Sequence, residues 1–130
     1  MRLNQVTVPC TDYAASVAFY KALGLVQTVD SPPRYARFEC PGSDGGEPAT
    51  FSLHRDEGWS GCDDPLVYFE CDALDETCRK LIEAGLDFLS PPTDQSWGWR
   101  EAYLRDPAGN RVCLYSAGSM RRFPPWRRHI

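Results

Sequence analysis

One order of elements is laid down twice along this chain, and that duplication constrains its fold more than anything else in the sequence. Residues 3–8 (LNQVTV) alternate apolar and polar side chains, the period of a half-buried strand, with Leu3, Val6 and Val8 as its packed side. Pro9 limits that strand. Thr11 or Asp12 then caps a helix over residues 13–23, with Ala15, Val17, Ala18, Phe19, Leu23 and Leu25 supplying apolar surface and Gly24 closing it. Residues 35–39 and 50–54 read as two further strands, separated by the loop PGSDGGEP. The second half repeats the order. A strand at 66–71 (LVYFEC) leads to a helix opened by Asp72 or Ala73, running through Ala84 and stopped by Gly85. A short segment at 86–89, a loop at SPPTDQS, a strand at 99–105, the turn DPAGN and a strand at 111–115 complete it. Halves of about 55 residues predict duplication of one βαβββ unit. The expected organisation is one domain over residues 1–116, with module one at about 1–57, module two at about 64–116, and a separate tail at 117–130.

Composition narrows the class of function. A chain of 130 residues with 42% hydrophobic and 25% charged side chains can bury a core without disulfides or a structural metal. No apolar stretch approaches the roughly 20 residues of a membrane-spanning helix. The opening MRLNQVTVPCTDY is polar where a secretory signal needs an apolar run, so a cytoplasmic location is expected. The six cysteines form no CxxC pair, which suits reduced thiols. The net charge is −4, but Arg121, Arg122, Arg127 and Arg128 lie in the last ten residues. Without them, ten basic groups face eighteen acidic ones and the body carries −8. Such a body repels nucleic acid and accepts a neutral or cationic small molecule.

Two segments carry a resemblance to a known family. TVPCTDYAASVAFYKALGL, with its strand, Asp cap and S-x-x-FY-x-x-LGL, resembles the opening of vicinal oxygen chelate proteins. That superfamily includes glyoxalase I, bleomycin-resistance proteins, fosfomycin-resistance enzymes and extradiol dioxygenases. RDPAGNRVCLY resembles its late hairpin, D-P-x-G-x-x-[IV]-E-[LF], and the likeness covers residues 1 to about 116. The resemblance implies an α+β fold: two tandem βαβββ modules forming a U-shaped mixed sheet around a cavity, with the helices outside. It also implies a homodimer.

In the family, side chains from four strands hold a metal. Carried over residue by residue, those positions fall on Gln5, Ser52, Leu66 and Cys113. Leu66 offers no donor, and Gln5 and Ser52 are poor ones, so no metal and no cofactor are expected. A relocated site using His54, Glu70, Glu101 and Cys113 is the alternative, since period-two alternation gives them the same sheet face.

With Gln5 and Cys113 facing the ligand, alternation adds Thr7, Tyr68, Glu70, Arg111 and Tyr115, while Val6, Val8, Val67, Phe69, Val112 and Leu114 pack beneath the helices. The resemblance brings Trp99, Glu101 and Tyr103 to that side. The expected ligand-binding set is thus Gln5, Thr7, Ser52, His54, Tyr68, Glu70, Trp99, Glu101, Tyr103, Arg111 and Cys113, an aromatic, acidic pocket. Catalytic residues are not identified, the candidates being Glu101 as a base and Cys113 as a nucleophile. The simpler roles are a salt bridge from Glu101 to Arg100, Arg105 or Arg111, and an inert buried thiol at Cys113.

The ending RRFPPWRRHI places Phe123 and Trp126 around two prolines, a segment that frays or docks on a surface, with the acidic body or a neighbouring subunit as acceptor. Three functions stay open. The first is a metal-independent protein that sequesters a neutral or cationic aromatic molecule, as in the bleomycin-resistance branch. The second is a lyase, isomerase or oxygenase of the glyoxalase or dioxygenase kind. The third is an interaction module with its cavity filled.

Overall fold

Prolines mark which strands lie at the edges, because each removes a donor from the hydrogen-bond ladder. The computed structural model describes residues 1–42 and 45–128, so two residues of the PGSDGGEP loop and the last two of the tail lie outside the described residues. The chain divides into two units: Met1–Cys62 with Asp106–Asn110, and Asp63–Arg105 with Arg111–Ile130.

In unit one, β1 (Gln5–Cys10), α1 (Tyr13–Ala22), β2 (Val26–Ser31), β3 (Tyr35–Cys40) and β4 (Ala49–Arg55) build a four-stranded sheet of order β1-β4-β3-β2. β1 runs parallel to β4, and the remaining pairs are antiparallel. Unit two has β5 (Cys62–Glu70), α2 (Leu74–Glu83), β6 (Phe88–Asp94), β7 (Arg100–Arg105) and β8 (Asn110–Ser116), in the order β5-β8-β7-β6. These are two tandem βαβββ modules with mixed sheets, as the sequence predicts. Pro9, Pro65, Pro91 and Pro92 all stand on edge strands, and the central strands β3, β4, β7 and β8 have none.

The differences from expectation are local. Pro9 does not end β1, which continues to Cys10 because its partner lies on one side only. Leu3 precedes the strand and is exposed. β2 was not expected. Its VQTVDS sequence makes an edge strand with a register shift between Gln27 and Val29. SPPTD is strand rather than loop, forming most of the edge strand β6, whose register breaks on either side of Ser90 accommodate its prolines. Asp12 does cap α1, its Oδ1 accepting from the Ala15 N–H at 3.0 Å. Asp72 does not cap α2, whose N-cap is Ala73 with no side-chain bond. Asp75 and Glu76 in its first turn complement the helix dipole instead. Gly24 and Gly85 close the helices at φ 99° and 98°. The buried residues of α1 are Ser16, Phe19 and Tyr20, so of the expected apolar set Phe19, with Leu25 beyond the helix, is buried, while Ser16 and Tyr20 replace Ala15, Val17 and Ala18 on the packed face.

Tyr20 leads to the centre of unit one. Its ring packs against Phe19, Phe38 and Phe51, and its hydroxyl donates to Asp106 Oδ2 at 2.6 Å. Asp106 is buried in the DPAGN turn. Its Oδ1 accepts from the N–H groups of Ala108 and Asn110 at 2.9 and 2.8 Å, and its Oδ2 also accepts from Asn110 Nδ2 at 2.7 Å. Asn110 Nδ2 in turn donates to the Pro9 carbonyl at 2.7 Å, tying the turn to β1. Burial and the neighbouring carboxylate push the Tyr20 phenol up, so it remains a donor. Gly109, at φ 85°, completes the turn. A Cβ there would stand 3.1 Å from the Gly61 Cα, so the close approach also excludes a side chain.

Removing one donor from a buried carboxylate costs about 1–3 kcal/mol. Tyr20→Phe is therefore expected to lower stability by that amount in urea unfolding, and Asp106→Ala by more, since the latter strands every donor in the cluster. An unchanged midpoint in both variants would refute this role.

Candidate functional site

In unit two, period-two alternation on the central strands gathers an aromatic and acidic face. Glu101 pairs with Tyr115 across β7 and β8, and Tyr103 pairs with Cys113. The Trp99 ring stacks on Tyr115 at 4.5 Å between centroids, and the Tyr68 ring meets both edge-on at 5.9 and 5.8 Å. Tyr68 is 45% exposed and Trp97 43%, so these rings present surface rather than close a core.

Glu101 is 1% exposed, yet its partners are neutral: Trp97 Nε1 donates to Oε2 at 3.1 Å, and the Tyr103 hydroxyl donates to Oε1 at 2.5 Å. This corrects the expected salt bridge. Arg100 is held by Asp75 and Asp94, Arg105 pairs with Asp63, and the Arg111 guanidinium lies over the Tyr103 ring at 4.9 Å. Alternation points the Arg100 side chain away from the Glu101 face, and the loop before β7 brings Trp97 instead. Burial, followed by the hydrogen bond to Glu101, pushes the Tyr103 phenol up. Burial and the Glu101 charge raise the buried Cys113 thiol to about 12, leaving it protonated and a poor nucleophile at neutral pH.

Not all expected residues join this face. Glu70 is exposed and lies 3.8 Å from Arg121. There it lines a cavity of about 460 Å³ with Cys71, Asp72, Ser116 and residues 117–119 and 121–123 of the tail. The tail is partly docked: a 3-10 turn at Gly118–Met120 sets Met120 against Gly98, between Trp97 and Trp99. Arg122 and Arg127 both stack on Phe123, while Phe123 and Trp126 remain exposed.

Unit one carries a second, polar face. Its register sets Thr7, Ser52 and Arg37 in one row across β1, β4 and β3, and sets Tyr35 beside His54 in the next. The buried Ser52 hydroxyl shares a 2.6 Å hydrogen bond with Thr7, Thr50 donates to Gln5 Oε1 at 2.8 Å, and His54 is exposed. Arg37 Nε donates to the Tyr35 hydroxyl at 2.9 Å. Burial pushes the Tyr35 phenol up, but hydrogen bonds from Ser52, Arg37 and Gln5 with the Arg37 charge outweigh it and hold it below the ordinary phenol range. The sequence reading missed Tyr35, Arg37 and Trp97. Alternation relates Tyr35 to Arg37, but only the strand register puts them beside Ser52, and Trp97 sits in a loop with no period.

The donor chemistry does not fit the metal of the vicinal oxygen chelate pattern. Gln5 is an amide and Leu66 an alkyl group, and the Ser52 hydroxyl is engaged by Thr7, so three of the four positions lack a good donor. Among the described residues no group of three or more His, Cys, Asp or Glu side chains could hold a metal ion, the alternative set of His54, Glu70, Glu101 and Cys113 included.

Solved structures share this fold over nearly the whole chain. A lactoylglutathione lyase from Agrobacterium tumefaciens is 21% identical with a TM-score of 0.73, covering 94% of this chain and 97% of its own. A glyoxalase/bleomycin resistance protein/dioxygenase family enzyme from Burkholderia phytofirmans PsJN is 20% identical with a TM-score of 0.72, covering 90% and 99%. A bleomycin-binding protein in complex with bleomycin is 20% identical with a TM-score of 0.69, covering 89% and 98%. No curated protein sequence matches the chain. The family pattern named Glyoxalase/Bleomycin resistance protein/Dioxygenase superfamily matches residues 2–114, and the chain belongs to that superfamily.

Proposed function

We propose that this protein binds a small aromatic molecule, neutral or cationic, on the face of Tyr68, Trp99 and Tyr115, without a metal and without catalysing its conversion. The observation that carries the reading is the buried Glu101 carboxylate, whose hydrogen-bond donors among the described residues are neutral, so that no bonded cation among them offsets its charge. Exposed ring surface beside such a charge attracts a cation by about 0.5–2 kcal/mol, depending on desolvation. The partial exposure of Tyr68 and Trp97 argues against a filled interaction module. The high Cys113 pKa argues against thiol chemistry, and Glu101 is buried with both oxygens accepting from Trp97 and Tyr103, which keeps it from direct contact with a ligand. A superfamily neighbour that holds bleomycin is a precedent in fold for ligand sequestration. A cytoplasmic, homodimeric protein fits this role, with open edges at β1 and β5 and the exposed Phe123 and Trp126 as surface for a second copy.

Titrating tryptophan fluorescence with benzyltrimethylammonium, benzyl alcohol and benzoate tests the ligand class. Binding is expected to be tightest for the cation, and Glu101→Gln to weaken the cation selectively by about 3- to 30-fold. Tighter binding of benzoate, abolished by Arg111→Ala and improved by Glu101→Gln, would overturn the assignment of charge.

Elemental analysis of protein purified without chelators is expected to find no stoichiometric transition metal. About one equivalent of zinc, nickel, iron or manganese would refute metal independence. Light scattering at micromolar concentration is expected to give twice the chain mass, reduced by deletion of residues 121–130 if the tail contributes. A monomeric mass for the full chain would refute the dimer.

A further inference from the structure

The acidic chain supplies carboxylate partners to several of its arginines. Arg2, Arg55, Arg79, Arg100 and Arg105 each reach a carboxylate within 3.0 Å. Arg37 is different. It is half-buried on the central strand β3, and among the described residues no carboxylate lies within ion-pair distance of it. Glu39, two residues along the same face, is exposed and makes no ion pair with it among the described residues. The guanidinium leans along the Tyr35 ring, 5.5 Å from its centroid, and spends Nε on the Tyr35 hydroxyl. The two terminal nitrogens make none of the described bonds. In the row beside it the Thr7 and Ser52 hydroxyls share one hydrogen bond, and Ser52 also bonds the Tyr35 hydroxyl, which leaves the Tyr35 proton to be donated.

A half-buried guanidinium with no carboxylate among the described residues, and with its two terminal nitrogens uncommitted among them, can receive a carboxylate from outside. We propose that the Arg37–Tyr35 pair, with the Ser52 and Thr7 hydroxyls beside it, is a binding site for the carboxylate of a small molecule. The planar fork of terminal N–H groups matches the two oxygens of a carboxylate, and the Tyr35 hydroxyl, fixed by Nε, is placed to donate its own proton. A single guanidinium balances one negative charge. A phosphate dianion would retain an uncompensated charge against an acidic body, so the site favours the monoanion. The site is built from residues of unit one alone.

The test is an NMR titration of the full chain, following the Arg37 Nε–H and Tyr35 ring signals with sodium acetate, which has no ring to engage the aromatic face, and separately with inorganic phosphate. Acetate is expected to shift both signals saturably. Arg37→Gln should weaken acetate by about tenfold or more, Arg37→Lys nearly as much because it keeps the charge but loses the fork, and Tyr35→Phe by several-fold. Arg34→Gln, which removes an exposed cation on the adjacent turn, should change it by less than about twofold. Non-saturable shifts in the unmodified chain, an equal loss in Arg34→Gln, or tighter binding of phosphate than of acetate would each overturn the proposal. Because the readout is Arg37 and Tyr35 rather than tryptophan fluorescence, failure here is separable from failure of the aromatic-ligand reading.

Discussion

The buried carboxylate of Asp106 is the interaction on which the packing of unit one depends. A charge taken out of water is tolerated only when its oxygens are fully bonded, and here backbone N–H groups, an amide and a phenol meet that demand together. Each donor comes from a different structural requirement. The N–H groups come from the turn itself, the phenol from the buried face of α1, and the amide also fastens the Pro9 carbonyl of β1. Helix, strand and turn are therefore positioned by one group, and the apolar rings of Phe38 and Phe51 pack around the Tyr20 that reaches it.

The same rule, applied on the other side of the sheets, produces chemistry instead of packing. On β3 and β4, alternate residues Ala36, Phe38, Phe51 and Leu53 are fully buried, while Tyr35, Arg37 and Ser52 carry polar groups on the opposite face. On β7 and β8, Ala102, Leu104, Val112 and Leu114 are buried in the same way, and Glu101, Tyr103, Cys113 and Tyr115 form the opposite face. Both polar faces sit on central strands, paired on two sides and free of proline, which holds their side chains more firmly than an edge or loop would. By register, Tyr35 and Arg37 hold in unit one the places that Glu101 and Tyr103 hold in unit two. The two modules thus share one scaffold, with Arg37 on the polar face of one and Glu101 on that of the other.

Much of this was legible in the residues. Alternation identified the core side of β1 and β8, the Asp12 cap and the terminating Gly24 and Gly85 bounded helices correctly, and DPAGNRVCLY marked the turn and hairpin that hold Asp106. The polar sides of the central strands followed from the same period. The edge strands were harder. VQTVDS is short and half polar, and SPPTD contains two prolines that a local reading assigns to a loop, although an edge with register breaks accepts them.

The sequence by itself determined the duplicated order of elements, the turn chemistry, the family pattern and the lack of donors at Leu66 and Gln5, because each depends on residue type and short-range spacing. Only the tertiary structure decided which charges meet. Glu101 has three arginines within ten residues along the chain and bonds to none of them, taking Trp97 and Tyr103 instead, while Asp75 and Asp94 draw Arg100 away. Among the described residues Arg37 meets no carboxylate, yet it shares a row with Ser52, far away in sequence. Strand register and side-chain direction settle such pairings, and they are set by the packing of the whole sheet rather than by neighbours along the chain.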